Sequence, residues 1–110
     1  KFNLIERGAG NGEMMKIMIE SFKRFPTFLN CCKIIIHEKS PELIKTQEDK
    51  IQYKNVEWIR NFKSLNKLPS IFLANEFIDA IPIKQFIKEK KIWYERLVKS
   101  SKNSLIFDKK

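Results

Sequence analysis

The chain has 110 residues, 43% of them hydrophobic, and a formal net charge of +9. That length allows one modest core, the composition excludes a disordered chain, and no apolar run approaches the roughly 20 residues of a membrane-spanning helix. Lysine supplies 18 of the 22 cations and is spread along the sequence, a bias that AT-rich coding also produces, so the charge predicts no nucleic-acid footprint and no membrane partner.

Phe2–Glu6 reads as a short apolar strand. The only three glycines, Gly8, Gly10 and Gly12, follow at once. Met14, Ile17, Met18 and Phe22 fall on one face of a helix predicted over Glu13–Phe25, which Pro26 ends. Cys31–Ile36 is a continuous apolar run, as in a strand buried on both faces of a parallel sheet. Cys31 and Cys32 are adjacent, and the only histidine is His37, which reads as structural. That pattern lacks metal-ligand spacing and predicts no metal site. It predicts reduced thiols in a cytosolic protein, at least one packed as a small hydrophobe. Ser40 then caps, and Pro41 opens, a helix running to about Lys50.

Tyr53–Ile59 holds one short predicted strand, Arg60–Lys67 a short helix or loop, and Ser70–Asn75 a third strong strand. Ile83–Lys88, Ile92–Val98 and Ser104–Phe107 are strand-like runs with no helix between them, which predicts antiparallel hairpins. The fold class is therefore α/β, with a parallel core over about residues 1–82 and hairpin strands over 83–110.

The glycines lie between a strand and a helix, at the carboxyl end of the first strand, where an open α/β sheet binds its ligand. Their spacing is GxGxG; the third glycine of a dinucleotide GxGxxG loop would fall on Glu13, whose carboxylate repels a pyrophosphate. A cationic nucleoside without phosphates, such as S-adenosylmethionine (SAM), suits the loop better, with Glu6 as the acidic residue ahead of it. Glu38, at the end of the second strand, can accept from both ribose hydroxyls. Asn75, Glu76 and Asp79 follow a buried strand and can accept from a substrate amine or guanidinium. The same residues also suit plain local chemistry, with Asn75 in a turn and Asp79 as a cap. A glycine turn without a ligand and a NAD-type dinucleotide domain are the competing readings.

Taken in order, Leu4-Ile5-Glu6-Arg7-Gly8-Ala9-Gly10-Asn11-Gly12, Glu38-Lys39-Ser40-Pro41, Ala74-Asn75-Glu76-Phe77-Ile78-Asp79-Ala80-Ile81-Pro82, Gln85-Phe86 and Trp93–Val98 resemble the SAM-dependent methyltransferase family of MidA-like proteins and the mitochondrial complex I assembly arginine methyltransferase. The resemblance runs from about Leu4 to Val98 and is most specific in the Asn75-Glu76-Phe77 segment. It implies a partial Rossmann-like class I methyltransferase core, with family segments missing on both sides. It implies SAM as cofactor, held by Glu6, Gly8, Gly10, Gly12 and Glu38, with Asn75, Glu76 and Asp79 at the methyl-transfer end. It further implies a protein substrate, a respiratory complex I subunit for the mitochondrial relative. The implied location is the bacterial cytoplasm, or the mitochondrial matrix in a eukaryote. Arg7 stands where the family carries a small or apolar residue, so SAM affinity is expected to be weakened. Activity of this chain alone is expected to be weak or absent; a non-catalytic remnant is the alternative.

Overall fold

The computed structural model describes residues 1–110. The chain divides into two compact units, Lys1–Ala80 and Ile81–Lys110. The first holds strands β1 (Phe2–Arg7), β2 (Cys32–His37), β3 (Val56–Ile59) and β4 (Ser70–Leu73), with helices α1 (Glu13–Phe22), α2 (Pro26–Cys31) and α3 (Pro41–Lys50). Its sheet is parallel throughout, in the order β3-β2-β1-β4. The second unit is an antiparallel sheet of β5 (Gln85–Glu89), β6 (Ile92–Ser101) and β7 (Ser104–Lys109), in that order. Both halves of the predicted fold class are present.

The isoleucine run explains the layering. Successive strand residues point to opposite faces, and β2 is buried on both. Ile34 and Ile36 pack with Met15 and Ile19 of α1 and with Ile51 after α3, while Ile35 packs on the other face with Ile5 and Ile59. Leu65, in the crossover from β3 to β4, covers that second face. A polar clasp fixes the crossover. Asn3 is fully buried, and its Nδ2 donates to Asn66 Oδ1 at 2.9 Å and to Ser70 Oγ at 3.0 Å. Strand order reverses between β1 and β4, so the carboxyl ends of these two strands frame the topological switch point where such sheets bind ligands.

Several boundaries differ from those predicted. The first helix ends at Phe22, and its buried residues are Met15 and Ile19, while Ile17 points outward. Pro26 does not end α1, which stops four residues before it; Pro26 occupies the first turn of α2, where its missing N–H costs nothing. The third strong strand stops at Leu73 rather than Asn75, because Glu76 turns the chain through a left-handed conformation (φ 47°). The cap at Ser40 is as predicted, with its Oγ accepting from Leu43 N–H at 3.3 Å and Pro41 next to it. Cys32 packs half-buried against the core and its thiol pKa is pushed up by burial; Cys31 is exposed.

Candidate functional site

The glycine loop leaves β1 in left-handed turns, with φ of 69°, 53° and 82° at Gly8, Gly10 and Gly12. Two of these glycines are also required by what lies above them. A side chain at Gly12 would come within 3.0 Å of Ile51 Cδ1. One at Gly8 would press into Phe77, lying 3.1 Å from its Cγ and 3.2 Å from its Cβ. Gly10 faces open space, with nothing within 4 Å of where its Cβ would stand. The loop therefore has one bare, accessible position beneath which a ligand can approach the backbone.

Glu6, the last inward-facing residue of β1 on the helical face, is 3% exposed, and its Oε2 has no hydrogen-bond partner. Burial raises its pKa above the ordinary carboxylate value. An unpaired buried acceptor is costly unless a donor completes it. A cationic or N–H-bearing ligand end at the loop supplies such a donor. Glu38 lies just after β2, half-buried. Its Oε1 accepts from the backbone N–H groups of Lys39 (2.7 Å) and Ser40 (3.0 Å). This fixes the carboxylate and leaves Oε2 with one long contact, 3.4 Å from Gln47 Nε2.

Gln47 is the residue that sequence reasoning missed. It is fully buried in α3, donates to Gly10 C=O at 2.8 Å, and accepts from Trp58 Nε1 at 3.0 Å. With Glu38 it ties the glycine loop to the end of β2. The signal was available: Ile44, Gln47 and Ile51 share one helical face, so Gln47 is a polar side chain at a core position. Glu13 opens α1 and pairs with Lys50 at 2.8 Å, and the ammonium lowers its pKa.

Asn75, Glu76 and Asp79 lie exposed on the loop after β4, and none of them shares a hydrogen bond with Glu6 or Glu38. Their neighbour Phe77, also missed, is what brings this segment to the glycine loop. The Arg7 guanidinium sits 4.7 Å from the centroid of the Phe77 ring and 5.2 Å from that of Phe62. Phe62 in turn stacks on His37 at 4.4 Å. Arg7 therefore points to the face opposite Glu6, and its charge is directed toward rings rather than toward the loop. Burial, followed by the charges of Arg7 and Lys39, holds His37 below its ordinary pKa. A cavity of about 480 Å³ lies at the opposite end of the sheet, lined by Lys1, Cys31, Cys32, Lys54 and Glu57 among others. The glycine loop is an open shelf by comparison.

Comparison with known proteins points to one chemistry. A family described as "putative S-adenosyl-L-methionine-dependent methyltransferase" matches residues 1–109. The protein arginine methyltransferase NDUFAF7, mitochondrial, of Xenopus tropicalis is 28% identical across 86% of this chain, and that of Mus musculus is 28% identical across 88%. In each case the match spans only 28% of the relative's own length. A crystal structure of a "superfamily member and likely methyl transferase" from Burkholderia thailandensis, bound to S-adenosyl-homocysteine, superposes with a TM-score of 0.68. It covers all of this chain and 29% of that one, at 19% identity. The fold, the strand-end loop and the family match agree: this chain belongs to the S-adenosylmethionine-dependent methyltransferase family.

Proposed function

We propose that this chain is a SAM-binding methyltransferase core whose cofactor site is the shelf formed by the glycine loop, Glu6 and Glu38. The unpaired, buried Oε2 of Glu6 carries this reading. Glu6 accepts from the ammonium of the methionyl end, and the left-handed turns at Gly8 and Gly12 present the bare backbone of Gly10 to it. Glu38, held by two backbone amides, accepts from the ribose hydroxyls. Bound SAM supplies an electrophilic methyl group on a sulfonium. Asn75, Glu76 and Asp79 receive the substrate nitrogen at the far side of the shelf, and a carboxylate there orients a guanidinium for in-line attack. The substrate class is a protein arginine, as in the names of the matched relatives, and a subunit of respiratory complex I is the specific candidate. Those relatives are mitochondrial, which supports the matrix for a eukaryotic source; a bacterial source places the chain in the cytoplasm.

Titration calorimetry with S-adenosyl-homocysteine tests the site. Saturable binding is expected for the chain, weakened about tenfold or more by Glu38→Ala through loss of two charge-assisted hydrogen bonds. Binding unaffected by Glu38→Ala, or tighter binding of NAD, would count against the site. Because Asn75, Glu76 and Asp79 are exposed and the match spans only 28% of the relatives' own length, methylation of an arginine peptide by this chain alone is expected to be weak or absent.

Glu6 also sets a pH dependence. Its pKa is raised in the folded chain, so the fold favours the neutral carboxyl. The resulting stability is full below the unfolded value and is lost as pH rises through the raised one. A bound ammonium favours the ionised form, so below the raised pKa binding must expel a proton. Affinity for S-adenosyl-homocysteine is therefore expected to climb with pH above the ordinary carboxylate value of 4.5. Glu6→Gln should flatten that climb; an unchanged slope in Glu6→Gln would assign it to another group.

A further inference from the structure

Charge is divided unevenly between the two units. Residues 81–110 hold nine Lys and Arg against three Asp and Glu, whereas residues 1–80 hold thirteen against ten. The smaller unit therefore carries +6 of the +9 in 30 residues. A coding bias toward lysine acts on the whole chain and does not produce this division.

Within the hairpin sheet all three carboxylates are already paired. Glu95 meets Lys84 at 3.4 Å, Asp108 meets Lys99 at 3.0 Å, and Glu89 pairs with Lys109. Lys88, Lys90 and Lys91 remain without a carboxylate at the β5–β6 turn, and Arg96 does so midway along β6. Phe86 and Trp93, on the same face of the sheet as Lys88, and Val98 and Phe107, on the face of Arg96, are each more than half exposed. Strands β5 and β7 are both sheet edges, whose outward N–H and C=O groups accept an added strand.

We propose that the hairpin sheet docks an extended acidic segment of a partner protein, which adds along a free edge and sets its carboxylates against the cations of the β5–β6 turn. Other occupants fit less well. A single-stranded nucleic acid needs open aromatic faces for stacking. Here Lys88 lies over Trp93 (5.4 Å), Arg96 over Phe107 (5.1 Å) and Lys109 over Tyr94 (5.1 Å). A bilayer needs apolar side chains at the leading tip, and this tip is Lys90-Lys91. A second copy would set one +6 surface against another. An acidic strand along the β5 edge meets that edge, Phe86 and the cations of the β5–β6 turn together.

The test uses the 110-residue chain and a fluorescein-labelled peptide of twelve alternating Val and Glu residues, followed by anisotropy. It needs no cofactor, so its failure is separable from failure of the SAM site. Binding is expected to weaken with added salt and to fall about tenfold or more when Lys88, Lys90 and Lys91 are all changed to Glu. Three equivalent changes in the larger unit, at Lys16, Lys45 and Lys63, should alter it less than twofold. The milder Lys90→Gln/Lys91→Gln variant, which leaves the strands untouched, should give an intermediate loss. Equal losses in both triple variants would reduce the effect to net charge. The proposal is overturned if a twelve-residue peptide of alternating Val and Lys, a twelve-residue thymidine oligonucleotide or phosphatidylserine vesicles bind as tightly, if the chain self-associates through this sheet, or if the Val-Glu peptide does not bind.

Discussion

Replacing Gly8 with alanine is expected to cost roughly 1–3 kcal/mol of stability and to displace residues 75–79 from the glycine loop. Two effects act together. A left-handed φ of 69° strains any L-residue there. The new methyl group also meets Phe77 near the root of its side chain, at Cγ and Cβ, where a ring flip gives no relief. The whole segment must then shift, and the Arg7 guanidinium loses one of its two rings. Urea unfolding, followed through Trp58 fluorescence in a Trp93→Phe background, measures the loss. Combining Gly8→Ala with Phe77→Ala should recover the steric part and leave only the φ strain. Additive effects of the two changes would show that Phe77 does not press on Gly8 in solution.

Gln47→Leu is expected to have the larger effect on the site. Leucine fits the core face of α3 but makes none of the three hydrogen bonds. Gly10 C=O and Trp58 Nε1 are then left without partners, at about 1–3 kcal/mol for each group that stays buried. A stability loss of about 2–4 kcal/mol follows, read by the same unfolding curve. The glycine loop and Glu38 also lose their common tether, so affinity for S-adenosyl-homocysteine should drop at least as far as in Glu38→Ala. Gln47→Leu with unchanged stability and unchanged affinity would mean that the tether carries no weight.

Local pattern made much of this structure readable. The apolar run ending in Ile34-Ile35-Ile36 identified a strand buried on both faces, and the glycines between strand and helix marked the loop that leaves β1. Ser40-Pro41 marked the start of α3, and the helix-free spacing after Pro82 marked the hairpins. The failures share a cause, because each depends on a contact distant in sequence or on a residue with two local meanings. Pro26 reads as the end of a helix but opens one, α1 having stopped at Phe22, and α2 is held by the packing of Phe28 against Phe2 and Phe22. The predicted third strand includes Asn75, whereas β4 stops at Leu73 and the chain turns at Glu76. Gln47 looked like one more polar residue in a polar helix, and its role appears only once Gly10, Glu38 and Trp58 are beside it. Arg7, expected to oppose a sulfonium, instead lies among rings from positions 62 and 77, a placement no spacing rule conveys.

The composition supplies the sharpest test of the central claim, that the glycine loop is the SAM site. All three glycines of the chain lie in that loop, so protein labelled only with [15N]glycine gives three amide signals, each a reporter of the site. Titration with S-adenosyl-homocysteine is expected to shift Gly8, Gly10 and Gly12 together, saturably, with little response in Glu38→Ala and none to NAD. Three signals that stay fixed in the wild-type chain at millimolar S-adenosyl-homocysteine, or that move equally with NAD, would contradict it.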